Sequence, residues 1–205
     1  MLLLFVACYL PAGVVVGALR LEPVPAIPVI IGLSLAAATA LGSLLVIRKS
    51  FTPRDFGLAP CTGAQTMLAL VAGMLIGLAA MAAGGHVADP RLQELQELPI
   101  WQTALLFWLG ASVQEELVFR GLLQSVVARA LGEAGSRPVG IISGAAIAVG
   151  VLFGAVHLPL GAWAACLALL LGILAGELRA RTGSVIPPIV AHASCNLLGS
   201  LDRFL

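Results

Sequence analysis

The chain has 205 residues, of which 60% are hydrophobic and 10% are charged, and its formal net charge is +1 at pH 7. Soluble globular domains carry about 25% charged residues, so this composition excludes a soluble domain and indicates an integral membrane protein. The net charge says nothing about nucleic acid, but no basic run suggests such a partner, so none is expected. The first expected partner is the lipid bilayer.

Apolar stretches long enough to cross a membrane, which takes about 20 residues, follow one another along the whole sequence. They predict an all-α fold, a polytopic transmembrane helical bundle of about seven spans that forms a single integral membrane domain over residues 1–205. The predicted spans are roughly 1–19, 25–47, 65–83, 100–128, 139–158, 161–177 and 184–201.

The links between the spans indicate how the chain is oriented. The link 48–60 carries three basic residues, which is typical of a short cytoplasmic loop. With the N-terminus in the cytoplasm, seven basic residues fall on the inner side and three on the outer side, so this orientation is predicted. The link 88–98 has leucines at near-helical spacing and predicts a short amphipathic helix on the membrane surface.

Ionisable and amide side chains inside the predicted spans are the strongest functional signal in this sequence. On insertion scales, a charged side chain costs about 2.5–3.5 kcal/mol at the bilayer centre, and such residues face the bundle interior and mark a site or a path. Glu177 lies where the sixth span meets a basic loop and is interpreted as a boundary residue. The set inside the spans is Glu115, Glu116, Arg120, His157, His192 and Asn196.

The spacing of these residues divides them into pairs. Glu116 and Arg120 are four residues apart with the acid first, which is the favourable order for a helical salt bridge and predicts a structural pair. Glu115 lies about 100° away around the same helix and is left to face a cavity. The four-residue spacing recurs in Phe153 with His157, and in His192 with Asn196.

An acid, two imidazoles and an amide on three spans can activate water and stabilise an oxyanion. If a zinc ion is bound, Glu115, His157 and His192 would supply three protein ligands and leave an open coordination position. The four cysteines have neither CxxC nor paired spacing, so no disulfide framework or thiolate metal site is predicted. The same acid and imidazoles could also pass protons, which leaves a proton-coupled membrane transporter as an alternative.

Three short motifs occur in order on separate hydrophobic segments. They are EELVFR at 115–120, FGAVH at 153–157 and HASCN at 192–196, which fit the patterns EExxxR, FxxxH and HxxxN. With these motifs and their flanks, FRGLLQ and GSVIPPIVAH, residues 110–199 resemble prokaryotic members of the CAAX protease and bacteriocin-processing family of intramembrane endopeptidases, also called CPBP or Abi. A motif-bearing catalytic core is thus expected at about residues 100–201.

The resemblance implies a role for each matching residue. Glu115 would activate the attacking water with help from His157, while His192 and Asn196 would hold the water or stabilise the oxyanion. A zinc-dependent and a metal-independent, glutamate-type mechanism both stay open. The supporting residues would be Glu116, Arg120 and Phe153.

The resemblance also implies a substrate and a location. The chain would be a hydrolase of the prokaryotic cell membrane that cleaves a peptide or membrane-protein substrate near the membrane surface. An inactive immunity or binding protein on the same scaffold is a further alternative, although the intact motif set favours the enzyme.

Overall fold

The computed structural model describes residues 1–82, 97–132, 138–139 and 142–201. Within these residues the chain forms seven helices, which confirms the predicted all-α helical bundle. The predicted surface helix at 88–98 falls largely outside the described residues and stays a prediction. The helices are α1 (Leu2–Leu19), α2 (Pro23–Ile47), α3 (Gly63–Ala82), α4 (residues 100–131), α5 (Gly144–Val156), α6 (Ala162–Thr182) and α7 (Ile186–Gly199).

Four of the helices in the described part of the chain, α1, α2, α3 and α6, are long and apolar enough to cross a membrane. In α1 and α2 only 11% of the apolar window is buried inside the protein, so most of their side chains face outward. Lipid solvates an apolar surface of this extent, whereas water does not. The chain is therefore an integral membrane protein.

Helix α4 is continuous but contains two π-helical segments. It begins as an α-helix at Ile100–Thr103, becomes a π-helix over Ala104–Ala111, and returns to α-helical winding at Ser112–Glu116. A second π-helical segment follows before the final α-helical turns, and the site residues of α4 lie between and within these segments. π-Helical turns are rare and occur frequently at functional sites. The last two segments are Leu117–Leu123 and Gln124–Leu131.

Helix α5 is shorter than the predicted span 139–158. Its 13 residues begin after Ser143, whose side chain accepts a hydrogen bond from the backbone N–H of Ala146 and thus caps the helix. The preceding residues form an antiparallel pair of two-residue strands, Pro138–Val139 and Ile142–Ser143. At 1.5 Å per residue α5 is about 20 Å long and does not cross the hydrocarbon core. His157 follows its last residue.

Glycines allow two of the motif-bearing helices, α5 and α7, to pack closely against their neighbours α6 and α3. A Cβ on Gly77 of α3 would lie 2.6 Å from the backbone oxygen of Cys195 in α7. A Cβ on Gly150 of α5 would lie 2.9 Å from the backbone nitrogen of Ile173 in α6. Small residues at such crossings allow two backbones to approach closely in a membrane. This packing holds α7 against α3 and α5 against α6.

Candidate active site

A cavity of about 470 Å³ opens at one end of the bundle. It lies between the first half of α2, the end of α3, the first half of α4, the end of α5, the start of α6 and the end of α7. Most of its wall is apolar. Its polar lining includes all four residues with predicted catalytic roles, so the structure brings the three motifs together: Glu115, His157, His192 and Asn196.

Glu115 is the acid that reaches the cavity. Its side chain is 22% exposed, although the surrounding helix is apolar. The Oε2 atom lies 3.9 Å from Nε2 of His192 and, among the described residues, has no hydrogen-bond partner. A buried carboxylate oxygen without a partner is costly. Here it faces the imidazole of His192.

Glu116 has two partners, and sequence reasoning found only one of them. Its Oε2 atom lies 3.1 Å from Nε of Arg120, which is the predicted pair, and both side chains are fully buried. This contact is an ion pair without the alignment of a hydrogen bond. The other oxygen, Oε1, accepts a hydrogen bond from Nδ1 of His192 at 2.8 Å. Glu116 therefore orients an imidazole of the cavity as well as pairing with Arg120.

Arg120 ties three helices together around this acid. Its Nη2 atom donates to the backbone oxygen of Gly172 in α6 at 3.0 Å. Its guanidinium lies over the ring of Phe153 in α5, with Cζ 4.5 Å from the ring centroid. Phe153 also contacts both imidazoles, with centroid distances of 4.6 Å to His157 and 5.6 Å to His192. The aromatic ring thus separates the buried cation from the cavity.

The hydrogen bonds of the two histidines determine which ring nitrogen is free. Nδ1 of His157 lies 2.7 Å from the backbone oxygen of Phe153, and Nδ1 of His192 contacts the carboxylate of Glu116. Both partners can only accept, so we assign the hydrogen to Nδ1 in each ring. This leaves Nε2 of each imidazole as the ring nitrogen that can form a hydrogen bond with a ligand in the cavity.

Asn196 is held by the first π-helical segment of α4. Its Nδ2 atom donates to the backbone oxygen of Phe107 at 3.2 Å and to Oγ of Ser112 at 3.1 Å. Ser112 in turn donates to the same Phe107 oxygen. Both hydrogens of the amide are therefore engaged within the protein. The amide oxygen of Asn196 therefore remains available to accept a hydrogen bond.

Sequence reasoning missed Gln114 at the cavity and Tyr9, which binds it from α1. Gln114 lines the cavity beside Glu115, and its Nε2 atom donates to the hydroxyl of Tyr9 in α1 at 2.9 Å. Gln114 is a polar amide in an apolar span, which is a signal that could have found it. Tyr9 lies 105 residues away in sequence and offers no local pattern that links it to the site.

The metal hypothesis requires Glu115, His157 and His192 to converge on one point. Among the residues that the structure describes, no three histidine, cysteine, aspartate or glutamate side chains are grouped closely enough to hold a metal ion. The residues as placed do not fit a three-ligand zinc site. Zinc stays a prediction, and no step of the mechanism below depends on it.

The geometry defines a class of protein: an integral membrane helical bundle with an acid and two imidazoles around one internal cavity. Residues 97–198, about half of the chain, match the family model described as type II CAAX prenyl endopeptidase Rce1-like, and the chain belongs to this family. No curated protein and no solved structure matches the chain significantly. The matched segment contains all three motifs and the helices that carry them.

Proposed function

We propose that this chain is an intramembrane endopeptidase that hydrolyses a peptide bond in the cavity between α4, α5 and α7. Membership of the Rce1-like family supports a protease of the CAAX type. The observation that carries the assignment to these residues is the position of Glu115. It presents an acid without a hydrogen-bond partner to the cavity, next to an imidazole that a second acid holds in place.

The proposed mechanism begins with a water molecule between Glu115 and the substrate. The carboxylate of Glu115 takes one proton from the water, and the water oxygen attacks the scissile carbonyl carbon. Nε2 of His192, protonated and supported by the carboxylate of Glu116, donates a hydrogen bond to the resulting oxyanion. The proton held by Glu115 then passes to the leaving amine, and the carbon–nitrogen bond breaks.

His157 and Asn196 assist the reaction in this proposal. Nε2 of His157 contacts the water or the leaving group, since its Nδ1 atom is occupied by the Phe153 carbonyl. The amide of Asn196 would have to break its hydrogen bond to Phe107 or Ser112 before it could donate to the oxyanion. Its first role is therefore to hold the part of the cavity wall that faces Glu115. Its free amide oxygen can accept a hydrogen bond from the substrate backbone.

The proposed orientation places the cavity on the outer side of the membrane. The end of the bundle opposite the cavity carries most of the basic residues, whereas Arg20 alone lies at the cavity end in the described part of the chain. Basic residues concentrate on the cytoplasmic side, which supports a cytoplasmic N-terminus. The prokaryotic cell membrane as the location stays a prediction. The described basic residues of the opposite end are Arg48, Lys49, Arg54, Arg129, Arg179 and Arg181.

A peptide-cleavage assay with matched carboxylate variants tests this function. The purified chain in detergent is incubated with a peptide library, and new termini are identified by mass spectrometry. We expect cleavage by the wild type, a loss of about 10²-fold or more in Glu115→Gln, and an unchanged rate in Glu22→Gln. Glu22 is exposed at the start of α2 and makes no capping hydrogen bond, so it controls for the loss of one negative charge.

Two results would overturn the proposal. The first is cleavage by a well-folded Glu115→Gln variant at the wild-type rate. The second is a wild-type protein that moves protons across a vesicle membrane but yields no new peptide termini, which is the behaviour of a transporter.

A further inference from the structure

A second pocket lies at the basic end of the bundle, away from the catalytic cavity. It has a volume of about 320 Å³ and is formed by the last turns of α4 and α6 together with the loop that contains Phe51 and Asp55. α4 ends at Leu131 and α6 ends at Thr182, so the pocket lies where membrane helices reach the lipid headgroups. The proposed catalytic mechanism uses no residue of this pocket.

Two arginines line the pocket. Arg129 is exposed, and its guanidinium stacks on the ring of Phe51 with Cζ 3.9 Å from the centroid. No hydrogen bond joins its guanidinium to another part of the described chain. Arg179 donates from Nη2 to the backbone oxygen of Asp55 at 2.7 Å, whereas its buried Nε has no hydrogen-bond partner among the described residues. Guanidinium donors remain available on both side chains.

The acid beside these arginines is already occupied. Asp55 accepts hydrogen bonds from the backbone N–H of Thr52 at 2.7 Å and from its hydroxyl at 2.9 Å. These bonds, and secondarily the charges of Arg129 and Arg179, hold the pKa of Asp55 below its usual range. The carboxylate is therefore ionised at neutral pH, and the two guanidinium groups leave the pocket with one net positive charge.

The loop that contains Phe51 and Asp55 also borders an apolar groove. Pro53 and Phe56 of the same loop, with residues of α2 and α4, line a groove of about 330 Å³. Its lining includes Ala38 and Gly42, and its exposed rim includes Ile47. A polar, cationic pocket and an apolar groove on the same loop match the two parts of a phospholipid.

We propose that the pocket between the ends of α4 and α6 binds the phosphate of an anionic phospholipid, with Arg129 and Arg179 as its ligands. Basic pockets between membrane helices on the cytoplasmic side are suited to anionic headgroups. Planar guanidinium groups match the geometry of phosphate oxygens. The adjoining groove accommodates part of an acyl chain, which distinguishes a lipid from a free phosphate. The site does not depend on the proposed peptidase activity.

Lipid binding to the full chain in detergent tests this site. Phosphatidylglycerol, phosphatidylcholine with the same acyl chains, and soluble glycerol phosphate are titrated separately, and the dissociation constants are measured by native mass spectrometry. We expect phosphatidylglycerol to bind more tightly than either of the other two. Arg129→Gln should weaken it about five-fold, and Arg129→Lys should restore part of the affinity. Arg54→Gln, at the same end of the bundle but outside the pocket, should have little effect.

Three outcomes would overturn the proposal. Equal binding of phosphatidylcholine would remove the role of the charge, and equal binding of glycerol phosphate would remove the role of the acyl chain. An equal loss in Arg54→Gln and Arg129→Gln would indicate diffuse surface charge instead of a site. Arg129→Gln is the decisive variant, because Arg179 also holds the loop and its replacement can destabilise the fold.

Discussion

Glu116 illustrates how much a single buried side chain contributes to this protein. It contacts the guanidinium of Arg120, which links α4, α5 and α6, and the imidazole of His192 in α7. Its side chain has no contact with solvent. The sequence predicted the contact with Arg120, because that contact is local on one helix. The contact with His192 spans 76 residues, and no spacing rule can reveal it.

Replacing Glu116 tests whether it positions His192 or only balances a charge. Glu116→Gln leaves Arg120 buried without a counter-ion, which costs about 3–5 kcal/mol of folding stability. The double variant Glu116→Gln/Arg120→Gln removes both charges and should recover much of the melting temperature. Cleavage by the double variant should stay about 10²-fold below the wild type, because a neutral amide no longer supports the protonated imidazole.

Melting temperature and cleavage rate together separate the two roles of Glu116. Charge balance with Arg120 affects the melting temperature, whereas the orientation of His192 affects the cleavage rate. A double variant that cleaves at the wild-type rate would contradict the positioning role.

At the level of elements, the helices were more predictable than their ends and their winding. The long apolar runs of α1, α2 and α3 predict the positions of these helices closely. In lipid, a single spanning segment can satisfy its backbone hydrogen bonds only as a helix. The π-helical winding of α4 could not be predicted, because the apolar pattern of residues 104–111 does not depend on it. Helix α5 begins later than predicted because Ser143 caps it. In the sequence, this serine lies within an apolar run that reads as one continuous span.

The crossing of α3 and α7 positions the last motif and gives a prediction about packing. Gly77→Ala would place a methyl group 2.6 Å from the Cys195 oxygen, so the two backbones must separate. We expect a loss of about 1–3 kcal/mol of stability and slower cleavage, because α7 carries His192 and Asn196. Thermal unfolding in detergent and the peptide assay measure the two effects.

Gly32→Ala is the matched control for this change. Gly32 lies inside α2, and nothing stands within 4 Å of the place where its Cβ would lie. The same added methyl group should therefore leave stability and cleavage unchanged or slightly improved. A Gly77→Ala variant as stable as Gly32→Ala would show that close approach of α3 and α7 is not required.

For the whole molecule, the sequence predicted which polar residues gather at the cavity better than how they contact one another. The motifs identified Glu115, His157, His192 and Asn196, and the structure places all four around one cavity. Their catalytic roles stay predictions. The engaged amide of Asn196, the second contact of Glu116 and the Tyr9–Gln114 bond depend on how distant helices pack. Local spacing carries no information about such contacts.

Cysteine labelling shows whether the three motifs share a water-filled cavity. In a variant without native cysteines, Ala111→Cys places a thiol in the cavity wall, and Val151→Cys places one on the outer surface of α5. A membrane-impermeant maleimide added outside intact cells should label the first thiol and spare the second, because maleimides react with hydrated thiolates. If Ala111→Cys proves as unreactive as Val151→Cys, the cavity is not open to water on that side, and the account is contradicted.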